Sequence, residues 1–156
     1  MQVLVVELNK SHYAFEMSQI LEITTKVKIT RVPNSKPFIH GIANLRGKIV
    51  PMINLKRLLG FQDIDTGSGC YVFFRLEEPR NLLIGSRVDS IFQTIVLDPE
   101  KIRDVPYFEN QTDCKFVKAL YAESNFSKPI AILDLTNALQ VAENEIQNTH
   151  QSSKVI

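Results

Sequence analysis

Several residue types that build catalytic or cross-linked proteins are scarce in this chain. Its 156 residues contain no tryptophan, two cysteines and three histidines. Cys70 and Cys114 give neither a disulfide framework nor a metal-ligand spacing, so we expect both to be reduced and structurally incidental. His12, His40 and His150 do not stand near a cysteine or a carboxylate at ligand spacing. The sequence therefore predicts no metal site.

Long apolar runs and catalytic signatures are also missing. No stretch of about 18 apolar residues is present, so we expect no membrane-spanning helix. Residues 1–7 lack a basic segment and a cleavage site, which predicts that the chain stays in the cytoplasm. The chain has no P-loop, no Gly-x-Gly-x-x-Gly and no Gly-x-Ser-x-Gly. We expect no cofactor, no catalytic residue and no enzymatic activity.

Neither sign of charge is in large excess, since the net charge is +1, but the charges are unevenly distributed. Residues 1–60 hold nine basic and three acidic residues, a net charge of +6, whereas residues 61–156 hold nine basic and fourteen acidic residues, a net charge of −5. A basic half is typical of a nucleic-acid binder or of a protein that meets an acidic partner. Aromatic residues do not alternate with the basic ones in a stacking pattern, which favours the protein partner.

The most informative stretch runs from residue 38 to residue 60. It predicts a strand over 38–45 and a returning strand over 49–55, joined by a tight turn in which Gly47 takes a positive φ. A short helix is expected over 55–59. The tip of such a turn is a place where a scaffold presents side chains to a partner.

The chain repeats this pattern once, which predicts its architecture. Each half is expected to hold about five short strands closed by a helical turn, and two such small barrels need an apolar seam because neither buries enough surface alone. The parallel segments are Phe38–Ile42 with Phe116–Leu120, Ile53–Leu59 with Leu133–Leu139, Pro51 with Pro129, and Ile20–Ile23 with Val88–Ile91.

The turn and its flanks carry a family resemblance. The run Gly41-Ile42-Ala43-Asn44-Leu45-Arg46-Gly47, followed by Pro51-Met52-Ile53-Asn54-Leu55, resembles the signature of the CheW family, the adaptors that couple chemoreceptors to the histidine kinase CheA. The family pattern is Gly, then hydrophobic-x-Asn-Leu-Arg-Gly, then Pro-x-hydrophobic-Asp-Leu-Arg. Asn54 and Lys56 stand where that pattern has Asp and Arg.

The resemblance extends over residues 3–140 and implies a fold. It implies a mainly β chain with two five-stranded, SH3-like β-barrel subdomains around a shared hydrophobic core, with short helices and a C-terminal helical segment. We expect one domain over 1–142, with a first barrel over about 12–66, a second over about 68–140, and an N-terminal strand that both could share. Residues 143–156 are polar and unpatterned and are predicted to form a tail.

The resemblance also implies a function. A CheW-like chain is an adaptor of chemotaxis signal transduction that binds the CheW-like regulatory domain of CheA and the cytoplasmic tip of methyl-accepting chemoreceptors. It is expected in the cytoplasm, recruited to membrane receptor arrays, without binding nucleic acid or inserting into the membrane. Two alternatives stay open: an adaptor of a pilus-motility chemosensory system and, from a different class, a small-barrel nucleic-acid-binding protein suggested by the basic first half.

Matching positions to the family pattern identifies candidate partner-binding residues. Arg46 falls on the family's functional arginine, and Glu22 falls on the acid of its hydrophobic-x-Glu-hydrophobic strand. Ile20, Asn44 and Gly47 match as well. We expect Arg46 and Glu22 to form a bidentate ion pair at the rim of a partner contact. Without the resemblance, a solvated ion pair worth less than about 1 kcal/mol is the simpler explanation.

Apolar residues of the same subdomain are further candidates. Ile39, Val50 and Met52 are predicted to face outward and to contact the kinase, because an adaptor surface combines exposed apolar residues with a polar rim. The alternative is that all three belong to the core.

Overall fold

The computed structural model describes residues 1–35, 37–62, 68–77, 81–105, 116–138 and 140. It is mainly β, as predicted, and these described residues form twelve strands in two six-stranded sheets. The strands are β1 (Gln2–Leu8), β2 (Ser11–Glu16), β3 (Ile20–Thr24), β4 (Ile29–Thr30), β5 (Ile39–Leu45), β6 (Lys48–Ile53), β7 (Cys70–Leu76), β8 (Leu82–Val88), β9 (Ser90–Val96), β10 (Ile102–Arg103), β11 (Val117–Tyr121) and β12 (Ile130–Leu133). The expected tail, Cys114 and Leu139 lie outside the described residues.

Helix α1, which spans Leu55–Leu58, is short, and both helical segments of the described residues begin after a capping side chain, Asn54 or Asp134. The Asn54 side chain accepts the backbone N–H of Arg57 at 3.2 Å. Residues 135–138 are helical as well. The described part of the chain also contains the 3-10 turns Met17–Gln19 and Pro99–Lys101.

The two sheets have the same strand order, which makes them two equivalent subdomains. Sheet I has the order β10-β11-β12-β2-β1-β9, and sheet II has the order β4-β5-β6-β8-β7-β3. In each sheet a hairpin from one half of the chain pairs in parallel with the last strand of the other half. These pairings are β12 with β2 and β6 with β8. The prediction of two subdomains is confirmed.

The predicted division of the strands at residues 66–68 is wrong. Strands β7 and β8 were expected in the second barrel but lie in sheet II beside β3 and β6, and β2 was expected in the first barrel but lies in sheet I. The two halves therefore exchange their leading hairpins. A sequence repeat shows that the halves are alike, but it does not show whether each hairpin pairs within its own half or across.

The repeat itself is present in the hydrogen bonding. The backbone N–H of Asn54 donates to the Phe38 carbonyl at 2.6 Å, and the N–H of Asp134 donates to the Phe116 carbonyl at 2.7 Å. Strands β5 and β6 pair Ile39 with Ile53 before a bulge, and β11 and β12 pair Val117 with Leu133 before a bulge. Phe38 thus corresponds to Phe116, as predicted.

The correspondence predicted between Pro51 and Pro129 is shifted by two residues. Pro51 lies opposite Ile42 and Ala131 lies opposite Leu120, so Pro51 corresponds to Ala131 and not to Pro129. The loop between β11 and β12 is longer than the tight β5–β6 turn, which moves the return strand by two residues.

The correspondence predicted between Ile20–Ile23 on β3 and Val88–Ile91 is shifted as well. Glu22 pairs with Phe73, and Gln93 pairs with Val5, each beside a bulge. Glu22 therefore corresponds to Gln93 and not to Ser90.

A shared hydrophobic core joins the two sheets, as the predicted seam requires. In β1, Leu4 and Val6 face the shared core, whereas Val3 and Val5 face a smaller cluster inside sheet I. This explains why β1 is apolar at successive positions although neighbouring side chains in a strand point to opposite faces. A third cluster, built around Val50, Met52 and Phe73, lies inside sheet II.

An alanine at position 41 tests the tight packing of β4 on β5. Gly41 has φ +150, and a Cβ atom there would lie 2.3 Å from the Thr30 carbonyl oxygen. We expect Gly41→Ala to lower the free energy of unfolding by about 2 kcal/mol or more in urea denaturation, because the clash is with backbone that cannot rotate away. The comparison variant is Gly47→Asn at the β5–β6 turn, where nothing lies within 4 Å of the added Cβ, so that its cost comes from the positive φ of +85 and not from a clash. Equal midpoints for the two variants would contradict this account.

Candidate functional site

The candidate site is the tip of the β5–β6 hairpin. Leu45 pairs with Lys48, so Arg46 and Gly47 form a two-residue turn with φ values of +52 and +85. The Asn44 side chain accepts the backbone N–H of Gly47 at 2.9 Å and holds the turn in this conformation. The backbone of Arg46 is thereby fixed, while its side chain is 80% exposed.

Arg46 and Glu22 come together, as predicted. Glu22 lies on β3, an edge strand of sheet II, and its Oε1 is 3.6 Å from Arg46 Nη2. The expected bidentate pair is not formed. Only one nitrogen approaches one oxygen, and the distance between them is longer than a hydrogen bond. Glu22 Oε2 is buried and has no hydrogen-bond partner among the described residues. The pair ties the hairpin tip to the edge strand.

The outward orientation predicted for Val50 and Met52 is wrong, and the alternative that they belong to the core holds. Both side chains are fully buried, and the outer face of β6 carries Ile49 and Pro51 instead. Side chains alternate along a strand, and the register of β6 against β5 and β8 fixes which set faces inward. Ile49, which the sequence analysis missed, is 72% exposed.

Ile20 and Ile39 are not free surface residues either. Both are half-buried and pack against the shared core. On β3 the exposed apolar residues are Leu21 and Ile23, each 42% exposed. Sheet II therefore presents Leu21 and Ile23 as apolar surface on β3, the strand that carries Glu22, and Ile49 on β6, the strand that follows the turn with Arg46.

A second surface lies on sheet I and was not predicted. The rings of His12 and Phe92 have centroids 4.7 Å apart, and Phe126 lies 5.7 Å from each. Phe92 is 53% exposed and follows Ile91 on edge strand β9, as Leu21 follows Ile20 on edge strand β3. The two subdomains thus place an exposed apolar side chain at corresponding positions. A single aromatic residue in an apolar run carries no sequence signal for such a cluster.

The described residues include no group of three or more histidine, cysteine or acidic side chains that could hold a metal ion. Among the helices of the described part, none is long and apolar enough to cross a membrane. What the geometry offers is surface: a hairpin tip with an ion pair, and exposed apolar residues on β3 and β6. Such a mixture of apolar and charged groups is typical of a protein-binding surface.

Two equivalent β subdomains around one core, each with an exposed apolar side chain at a corresponding position, define the chain as a two-subdomain β protein with surfaces of the kind that bind other proteins. The chain belongs to the CheW-like domain family, whose model matches residues 2–149. That family is one of chemotaxis adaptors and scaffolds, a role consistent with the expectation that the chain is not an enzyme.

Individual relatives show the same similarity. The chain is 41% identical over 59 residues to the chemotaxis protein CheW of Thermotoga maritima, covering 38% of this chain and 39% of that protein. It is 30% identical over 105 residues to that of Klebsiella aerogenes, covering 67% and 62%. The chain thus matches less than two thirds of these two relatives' length. It is 26% identical to that of Bacillus subtilis over 85% and 86% of the two chains.

A solved structure shares the fold. The crystal structure of the scaffolding protein CheW from Thermoanaerobacter tengcongensis matches with a TM-score of 0.74 and 27% identity, over 85% of this chain and 88% of that one.

Proposed function

We propose that this chain couples methyl-accepting chemoreceptors to the histidine kinase CheA. The observation that supports the proposal most directly is the hairpin tip, where the residue matching the family's functional arginine, Arg46, is exposed on a fixed backbone and is tied to Glu22. Asn44 and Gly47 hold the turn. The proposed place of action is the cytoplasm, at membrane receptor arrays.

The partners are proposed to meet different surfaces of the molecule. The regulatory domain of the kinase is assigned to sheet II, where Ile49 is exposed on β6, the strand that follows Arg46, and Leu21 and Ile23 are exposed on β3, the strand that carries Glu22. A receptor tip is a helical hairpin and needs a second apolar surface to be held at the same time. The aromatic cluster of His12, Phe92 and Phe126 on sheet I offers one.

The first experiment is a reconstitution from purified components. The kinase, a receptor cytoplasmic fragment and this chain are mixed, and autophosphorylation is measured with each component omitted in turn. Activation that requires all three supports coupling. Binding to the kinase without any receptor-dependent activation would contradict it.

Charged substitutions along β6 separate surface from core. We expect Ile49→Glu to weaken capture of the kinase by about tenfold without changing the melting temperature. The side chain is exposed, so the substitution removes a proposed contact with the kinase and no packing inside the protein. Val50→Glu is the matched control, since the adjacent side chain is fully buried, and we expect it to unfold the protein. Unchanged kinase capture by a folded Ile49→Glu protein would remove β6 from the interface.

A further inference from the structure

One residue connects sheet II to sheet I between β8 and β9. The backbone N–H of Asp89 donates to the Glu7 carbonyl on β1 at 3.0 Å. Its Oδ2 accepts the backbone N–H of Asn9, in the turn after β1, at 2.8 Å. Asp89 is thus bonded at two points to the leading hairpin of sheet I.

The other carboxylate oxygen of Asp89 faces sheet II. Its Oδ1 lies 2.5 Å from Lys56 Nζ on α1 and 3.7 Å from Arg87 Nη2 on β8. The side chains of Lys56, Arg87 and Asp89 are 14%, 8% and 27% exposed. We call these three residues the Asp89 cluster. One carboxylate therefore holds both sheets, with one oxygen directed at each.

The connection from β2 to β3 is equivalent to the connection from β8 to β9, but its charge contacts are different. Parallel pairing places Gly85 opposite Met52 and Ala14 opposite Ile132, so Arg87 corresponds to Glu16. Glu16 accepts a hydrogen bond from Lys118 at 2.8 Å, and both residues lie in sheet I. Among the described residues, the ion pair at this connection, Glu16 with Lys118, stays within sheet I. The charged connection between sheets is a feature of one crossover and not of the repeat.

We propose that the Asp89 cluster fixes the orientation of sheet I relative to sheet II. Apolar contacts across the shared core are non-directional, whereas Asp89 combines ion pairs to Lys56 and Arg87 with one hydrogen bond accepted by its carboxylate and one donated by its backbone N–H, and these contacts are directional. On this proposal the partly buried Lys56–Asp89 pair contributes mainly to specifying one geometry and less to overall stability. A protein with binding surfaces on both sheets needs that geometry to present the surfaces at a constant separation.

Spin-label distance measurements on the isolated chain test the proposal. Because no kinase or receptor is present, their outcome does not depend on the proposed coupling function. Labels are attached at Lys48→Cys in sheet II and Thr94→Cys in sheet I, with Cys70→Ser and Cys114→Ser. We expect Lys56→Met to broaden the distance distribution about twofold, because it removes the ammonium group and keeps the apolar stem. Lys56→Arg should restore the wild-type width, since it keeps the cation.

Two further variants keep the test specific. Lys118→Met removes an exposed ion pair inside sheet I and should leave the distribution unchanged. Asp89→Ala should broaden the distribution and also raise hydrogen exchange at the Asn9 amide about tenfold, because that amide loses its charged acceptor. An unchanged distribution in Lys56→Met, or equal broadening in Lys118→Met, would overturn the proposal, even if the melting temperature falls.

Discussion

Arg46→Glu is expected to give a folded protein that loses receptor-dependent kinase activation by about tenfold or more. The Arg46 side chain is 80% exposed, so its replacement should change the free energy of unfolding by less than about 0.5 kcal/mol. The new carboxylate would stand beside Glu22, whose Oε2 is already buried without a hydrogen-bond partner among the described residues. Repulsion between two acids would move the edge strand away from the hairpin tip and alter the partner surface.

Three further proteins show what the pair contributes. Arg46→Lys keeps the charge but loses the planar guanidinium, so we expect partial activation. The double variant Glu22→Arg, Arg46→Glu restores opposite charges and should recover part of the loss. Lys48→Glu, on the other side of the same turn, changes the net charge equally and should retain activation. Autophosphorylation with and without the receptor fragment is measured for each protein.

The outcomes separate distinct roles. If Arg46→Glu keeps full activity, the arginine is not part of the function. If the double variant recovers nothing, Arg46 and Glu22 each act separately on a partner. If Lys48→Glu fails as completely as Arg46→Glu, overall charge rather than the pair is responsible.

Local chemistry made the hairpin predictable. Gly47 permits the positive φ of the turn, Asn44 accepts its N–H, and Asn54 caps α1, so short-range rules were sufficient. The correspondence of Phe38 with Phe116 was also predictable, because each residue directly precedes its strand, β5 or β11. Each of these features depends on residues close together in the chain.

The features that escaped prediction depend on distant pairings. The exchange of leading hairpins is decided where Ala131 meets Tyr13 and Met52 meets Gly85, which no local pattern records. The inward orientation of Val50 depends on the register of β6 against both neighbours, since a one-residue shift turns every side chain to the other face. Asp89 and Asn9 are 80 residues apart in the sequence, so their hydrogen bond becomes visible only in the folded chain.

A single phenylalanine in the shared core should control the stability of both sheets. Phe74 on β7 of sheet II is fully buried, and its ring centroid lies 4.9 Å from that of Phe15 on β2 of sheet I. We expect Phe74→Ala to lower the free energy of unfolding by about 3–5 kcal/mol, through lost burial and a cavity at the seam. Phe92→Ala, at a position 53% exposed, is the control and should cost less than about 1 kcal/mol.

The Phe74→Ala variant also tests whether the two sheets unfold together. Because Phe15 and Phe74 belong to one cluster with side chains from both sheets, the sheets should lose structure together in a single transition. Hydrogen exchange at Val50 on β6 and at Ile132 on β12 reports on sheets II and I separately. We expect exchange at the two amides to accelerate by the same factor, as global unfolding requires. Acceleration at Val50 alone would show that each sheet is stabilised by its own smaller cluster and that the shared core does not couple them.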